Sequence, residues 1–319
     1  MSEAKTCPPP TEPVPLPDNI RSVQPGSGVC YRIEIAWGRF RRWYLRMFRR
    51  RYVERMARLR KGDPAGAPHE ILDPRDLKYC CNLCSAEWAA ADDPYAWRGK
   101  LPVARWGLAE LQLMGYPLLA LALAAVWLPS PWTWLSLAPA SLLLLPVYFF
   151  RDPPRRVPDG PGQLVAPADG RVVEITPLEH DEFIGGPAVR IGIFLAIFNV
   201  HLNRVPERAR VIELRYHPGE FLNALNPESA VRNESMWIGL EETAEPHRRM
   251  VVRQISGLIA RRIVNTLRPG QVVERGDRLG MIKLGSRTEL IVAAEGLDVR
   301  VSCGQSVQAG KTVMAVYPD

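Results

Sequence analysis

From Leu111 to Phe150 the chain carries no Asp, Glu, Lys, Arg or His. A helix that crosses a bilayer needs about 20 apolar residues, so this stretch predicts two short helices. The break falls at Leu128-Pro129-Ser130-Pro131, where one proline ends the first helix and the next can open the second. Residues 1–110 precede the stretch, which therefore reads as an internal anchor and not as a cleaved leader. A core hairpin buried in protein is the plainer alternative.

Charge sharpens the membrane reading. The net charge is +7, yet between Arg32 and Lys61 twelve basic residues face only Glu34 and Glu54, a local balance of +10 that leaves the remainder near −3. Residues 39–51 interleave aromatics with arginines. Nucleic acid can use such a segment, through phosphate contacts and stacking, and so can a basic helix on anionic lipid. Beside an apolar hairpin an anionic lipid surface is the expected partner, and no nucleic acid is expected. A solvated helix face is the bland alternative. Arg98, Lys100 and Arg105 precede the hairpin, Arg151, Arg155 and Arg156 follow it, and no cation lies between. Positive-inside bias then puts both ends in the cytoplasm, with the rest of the chain at the inner leaflet of a bacterial plasma membrane.

Cytoplasmic exposure also argues for reduced thiols at Cys7, Cys30, Cys80, Cys81, Cys84 and Cys303. Cys81 and Cys84 have half the spacing of a zinc site, with Cys80 beside them. No second pair follows at the usual interval, and Cys30 or His69 would have to complete the set. No metal is expected.

Four regions follow. Residues 1–28 form a proline-rich tail expected to be disordered. Residues 29–106 form a membrane-proximal extension, helical and basic to about residue 62, then irregular with Trp88, Trp97 and Trp106 as interfacial anchors. The hairpin occupies about 107–150. Residues 151–319 are short alternating strands cut by glycines, such as Gly170–Ile175, Ala188–Leu195, Met250–Ile255 and Glu289–Ala293. The predicted fold class is mainly β (α+β), a small sandwich or flattened barrel resembling lipoyl and biotinyl carrier folds.

Six short motifs fall in order along this last region. They are Phe149-Phe150-Arg151-Asp152-Pro153, Ala166-Pro167-Ala168-Asp169-Gly170, His201-Leu202-Asn203-Arg204-Val205-Pro206, Asn233-Glu234, Gln254-Ile255-Ser256-Gly257 running on to Arg261-Arg262-Ile263, and Leu284-Gly285-Ser286-Arg287. Each alone is weak, and Gly-Ser by itself is an ordinary turn. As an ordered series over roughly 149–316 they resemble the phosphatidylserine decarboxylase family, its short bacterial and archaeal branch especially. Residues 1–106 lie outside the resemblance.

The resemblance implies self-cleavage between Gly285 and Ser286. The Ser286 hydroxyl would attack the Gly285 carbonyl, converting peptide to ester, and β-elimination would leave Ser286 as an N-terminal pyruvoyl group, the covalent cofactor. Glycine before the serine suits this, since the attacked carbonyl needs open access and unusual backbone angles. Fragments 1–285 and 286–319 would stay together as a heterodimer, and homo-oligomerisation is left open. The pyruvoyl ketone would form a Schiff base with phosphatidylserine, releasing CO2 and phosphatidylethanolamine.

His201 is the candidate acid/base group: a neutral imidazole can accept and return a proton near pH 7, and it follows the apolar run Ile193–Phe198. Asp169 would orient a partner or serve the serine's proton acceptor, although an isolated Asp-Gly is usually turn chemistry. Longer-type family members carry two histidines three residues apart, the second completing an Asp-His-Ser relay. This chain has Arg204 there, and arginine is no base at neutral pH, so either His201 serves both steps or Asp169 acts more directly. Substrate-binding candidates are Arg204, Asn233, Glu234, Arg261, Arg262 and Arg287, with Arg261 and Arg262 equally able to pair with Glu234. Gly257 is expected to permit close strand contact. The alternatives are archaetidylserine as substrate, or a non-catalytic lipoyl-like binding or scaffold protein on a membrane anchor. A carrier would present one modified lysine, and Lys283 does not sit in a carrier pattern.

Overall fold

The computed structural model describes residues 10–17, 26–62, 69–76, 86–129, 131–259, 262–283 and 285–318. The cysteine cluster at 80, 81 and 84 and the candidate Arg261 lie outside them.

The basic segment forms two helices rather than one: α1 (Gly28–Phe48) and α2 (Arg50–Leu59), broken at Arg49, whose φ of −133° and ψ of 37° leave the helical region. Exposed Phe40, Trp43, Tyr44 and Phe48 make an aromatic cluster along α1, with Tyr44 and Phe48 centroids 5.3 Å apart. The apolar stretch forms α3 (Leu108–Val126) and α4 (Leu137–Phe149). The helical runs Arg105–Val126 and Trp132–Phe149 are long and apolar enough to cross a membrane. They touch each other where Gly115 faces Leu143: a Cβ there would stand 3.3 Å from Leu143 Cδ1. Away from that seam Leu121, Leu123, Leu144 and Leu145 are exposed.

The rest is sheet-rich. In chain order the strands are β1 (Gln163–Val165), β2 (Gly170–Asp181), β3 (Gly186–Leu195), β4 (Leu202–Arg204), β5 (Ala209–His217), β6 (Ser235–Glu242), β7 (Arg249–Ile255), β8 (Arg262–Asn265), β9 (Val272–Val273), β10 (Arg278–Lys283), β11 (Ser286–Ala293), β12 (Asp298–Val299), β13 (Ser306–Val307) and β14 (Val313–Val316); a short α5 (Ser229–Arg232) precedes β6. Eight of them form one antiparallel sheet, ordered β13-β2-β3-β11-β7-β6-β5-β9; β4-β10-β8 and β1-β14-β12 form two smaller sheets.

Alternation assigns the faces. On β11, Leu290 and Val292 point into the main core with Ile191 and Ile193 of β3, Val252 of β7 and Ile238 of β6. Ile291 points the other way, into a smaller cluster with Phe183, Ala188 and Val251. β11 is therefore covered on both faces and paired on both edges, a central position that explains its nearly unbroken burial.

Residues 10–17 depart from the expected disordered tail. Val14 N–H donates to Ile212 O at 2.8 Å, Thr11 N–H to Glu241 Oε1 at 2.9 Å, and Leu16 packs on the main core. Proline fixes an extended backbone that docks in this way without a full ladder.

Leu290→Ala should destabilise the protein by about 2–5 kcal/mol, since it opens a cavity in a core that cannot collapse around it. Val173→Ala, on the open face of β2, should stay within about 0.5 kcal/mol. Urea midpoints in detergent separate the two; equal shifts would contradict the assignment of faces.

Candidate functional site

Six connections cross between the eight-stranded sheet and the β4-β10-β8 sheet, and three of them, β3 to β4, β7 to β8 and β10 to β11, bear on the candidate site. The backbone meets itself there. Gly285 has φ of +66°, in the left-handed region that favours glycine, and its N–H donates to His201 Nε2 at 3.3 Å. Gly257, on the β7–β8 connection, lies so close that a Cβ would stand 1.5 Å from Gly285 O. Its expected role of close contact is thus specific: it faces the carbonyl just ahead of Ser286.

Ser286 opens β11 opposite Leu195 and is fully buried. Among the described residues its Oγ has no hydrogen-bond partner. Extending the β7–β11 register by one step places Ser256 opposite Ser286 on the same face; Ser256 Oγ and Gln254 Oε1 are likewise buried without partners among the described residues. An unpaired buried hydroxyl costs about 1–3 kcal/mol, so polar groups left in this way mark a site with a use other than stability.

His201 is also fully buried. Nδ1 lies 2.9 Å from Asn199 O, which can only accept, so Nδ1 carries the proton and Nε2 keeps its lone pair toward Gly285. Burial, aided by the charge of Arg151 and opposed by the Asn199 carbonyl, pushes the imidazole down to about 4. Phe149 covers the ring at 4.5 Å between centroids, and Phe149, Phe150, Val200, Leu202 and Met281 form an apolar cluster beside it.

The remaining motif residues act as braces. Asn203 Nδ2 donates to Thr288 Oγ1 at 3.0 Å and to Pro167 O at 3.3 Å, while its Oδ1 accepts from Gln254 Nε2 at 2.8 Å. One side chain thus joins three of the motifs just behind Ser286. Asn233 Nδ2 donates to Ser256 O at 2.8 Å, and Ser256 N–H donates to Glu234 O at 2.9 Å. Both backbone groups of the residue before Gly257 are fixed in this way. Burial pushes the Glu234 carboxyl up to about 7, against hydrogen bonds from Gly26 N–H and Tyr216 and the charge of Arg262.

Asp169 lies on the same edge of the sheet, two strands from Gly285, roughly 10 Å away by strand spacing. Both its oxygens accept from Arg155, at 2.9 and 2.8 Å, and Oδ1 also accepts from Ala309 N–H at 2.8 Å. Among the described residues no bond joins Asp169 to His201 or Ser286, so a closed Asp-His-Ser relay is not assembled here. Arg204 donates to Asp152 Oδ1 at 2.6 Å and to Gly276 O at 2.9 Å. Arg287 follows Ser286 and so points to the opposite face, where it donates to Glu289 at 2.9 Å and to Glu174. Arg262 pairs with Glu34 at 3.3 Å, and its charge also acts on Glu234. These three guanidinium groups are engaged within the protein.

Sequence reasoning missed Asn199 and Thr288 as parts of the site, and Ser256 stood in a motif with no role assigned to it. A carbonyl that fixes a tautomer leaves no trace in composition, while Asn203 and Gln254 stood in the motifs without an assigned task.

Comparison with known proteins fits this geometry. A family model described as phosphatidylserine decarboxylase matches residues 142–315. The chain is similar to a phosphatidylserine decarboxylase proenzyme of Rhodopirellula baltica, 48% identical over 244 residues, which cover 76% of this chain and 99% of the relative. Proenzymes of the same name from Carboxydothermus hydrogenoformans and Chlorobaculum tepidum are 41% and 42% identical over 181 and 194 residues, covering 57% and 60% of this chain and 84% and 87% of theirs.

Gly257→Ala should push the Gly285 carbonyl out of place. Displacements near 1 Å can cost on the order of a hundredfold in rate, and a loss of that size is expected in release of fragment 286–319, followed by mass spectrometry. Cleavage at the normal rate would mean the close approach is incidental.

Proposed function

The chain belongs to the phosphatidylserine decarboxylase family, a carboxy-lyase acting on phosphatidylserine, and from that premise we propose that it matures by cutting itself between Gly285 and Ser286. The carrying observation is the buried Ser286 Oγ, unpartnered among the described residues, beside a left-handed Gly285 whose N–H donates to the unprotonated Nε2 of His201. Ser286 Oγ attacks the Gly285 carbonyl carbon, and His201 Nε2 takes the hydroxyl proton. The C–N bond breaks as the C–O bond forms, giving an ester and an amine on Ser286. Loss of the Ser286 α-proton then expels the Gly285 carboxylate, and water converts the new terminal residue to pyruvoyl with release of ammonia.

Ser286 and its surroundings fit a group made in place in this way: no room for an external cofactor is needed, and Asn203, Thr288 and Gln254 brace the strand that carries it. A pyruvoyl group there supplies an electrophilic carbonyl conjugated to an amide, an electron sink for loss of CO2 from the serine head group. His201 serves both stages: neutral at pH 7, it accepts a proton during maturation and holds or returns one beside the reacting carbon afterwards. Asn199 O takes the orienting place that a carboxylate fills in an Asp-His-Ser relay. Asp169 holds the edge of the sheet through Arg155 and Ala309. Phe149 and its apolar neighbours keep water from the reacting bond.

The substrate is lipid, and we read α3 and α4 as crossing the membrane, with the sheet on the cytoplasmic side as the flanking arginines direct. A cavity of about 760 Å3 at the foot of α3 is lined by Arg75, Arg98, Arg105, Arg278, Asp93 and Trp106 among others; Arg75, Arg105 and Arg278 pair with Asp73, Asp93 and Asp152, and Arg98 supports contact with anionic head groups. The turn-rich β12–β14 end of the chain favours the likeness to lipoyl-type folds, and the strand pairing of 286–319 favours a bound two-chain product.

Ser286→Ala should leave a full-length chain that releases no CO2 from phosphatidylserine; fragments of 1–285 in that variant would overturn the assignment. The folded pKa of His201, about 4, lies below its ordinary value of 6.5, so folding favours the neutral ring. That contribution, on the order of 3 kcal/mol, is complete above pH 6.5 and is lost as pH falls toward 4. Cleavage by the folded chain, timed by gel between pH 4 and 8, should be level above about pH 5 and fall as pH approaches 4; a His201→Gln chain that cleaves normally would rule the imidazole out. Arg98→Glu should reduce co-flotation with phosphatidylcholine vesicles containing phosphatidylglycerol and leave binding to phosphatidylcholine alone unchanged.

A further inference from the structure

Lys283 and Arg262 are directly opposite each other on β10 and β8, and both are among the most deeply buried side chains described. Their partners come from far away. Lys283 Nζ donates to Glu34 and Glu110, and Arg262 Nε lies 3.3 Å from Glu34 Oε2. Glu34 sits on α1 and Glu110 in the first turn of α3, both buried. Among the described residues, two cations and two carboxylates thus share one buried site.

The placement of the two cations gives the cluster its meaning. Lys283 is two residues before Gly285, and Arg262 begins the strand reached from Gly257. They anchor the two connections that meet at the Gly285 carbonyl. Both cations lie inside the stretch matched by the family model, residues 142–315, and both carboxylates lie outside it. A buried charge stripped of its partner is strongly unfavourable, so the cations hold α1 and α3 in place or the connections shift.

We propose that Glu34 and Glu110 are positioning residues for self-cleavage: through Lys283 and Arg262 they hold Gly285 and Gly257 in the register that presents the carbonyl to Ser286. The inference rests on the reading of Gly285–Ser286 as the self-cleaved bond. Neither carboxylate touches the reacting atoms. The extension and the first apolar helix thereby complete the maturation site of the sheet that follows them.

The test uses the full chain synthesised in the presence of membranes, with cleavage timed on the protease-resistant, folded fraction. Glu34→Gln with Glu110→Gln should slow cleavage by at least tenfold, and Glu34→Asp alone should restore most of the rate relative to Glu34→Gln. A second chain removes all four charges by adding Lys283→Met and Arg262→Met, and its stability is compared in a Ser286→Ala background. Recovered stability with slow cleavage supports positioning. Recovery of both, or cleavage at the wild-type rate in the double glutamine variant, overturns it and leaves the cluster a folding element. Ser286→Ala run in parallel keeps the parent reading separate: cleavage there would refute the bond assignment whatever the carboxylates do.

Discussion

Two stretches of backbone press together at Gly257 and Gly285 with no side chain between them, and the working part of the molecule is arranged around that contact. A glycine with positive φ and a glycine facing a carbonyl make the approach feasible. Everything nearby holds the two segments from behind. Asn233 and the backbone of Glu234 grip Ser256, Asn203 and Gln254 tie β11 to its neighbours, and His201 meets the Gly285 N–H. The result is a rigid frame around a serine hydroxyl that the fold itself leaves unsatisfied.

That frame explains why the motifs were informative only together. Phe149 covers the His201 ring, Asp152 engages Arg204, Pro167 accepts from Asn203, and Gln254 completes the same network. Each segment supplies one brace, and one brace has no sequence signature beyond an ordinary turn or strand end. Chain order carried the inference because the braces belong to successive crossings of a single seam.

Local patterns in the sequence were legible: the apolar hairpin from its missing charges, the strands from alternation and glycines, and the need for close contact at Gly257. Partners across long separations were not. Lys283 and Glu34 are 249 residues apart, and no periodicity joins them; Glu34 was likewise not foreseen as a partner of Arg262. Arg287 was misjudged for a simpler reason, since strand alternation next to Ser286 already turns it away. Residues 10–17 show the opposite error. A proline-rich segment can be ordered when a sheet surface offers hydrogen bonds to an extended chain.

β11 lies between β3 and β7, paired along both edges and covered on both faces. Under the proposed cut just before Ser286, that central strand becomes part of a separate chain that keeps its pairing partners on both edges. The covalent path that first brought β10 and β11 together is then gone. Reassembly after unfolding becomes a meeting of two molecules, dependent on their concentration and paying an association entropy that the intact chain avoided. The matured protein is thus a structure its own pieces are poorly placed to rebuild, and its working lifetime is governed by how slowly it comes apart.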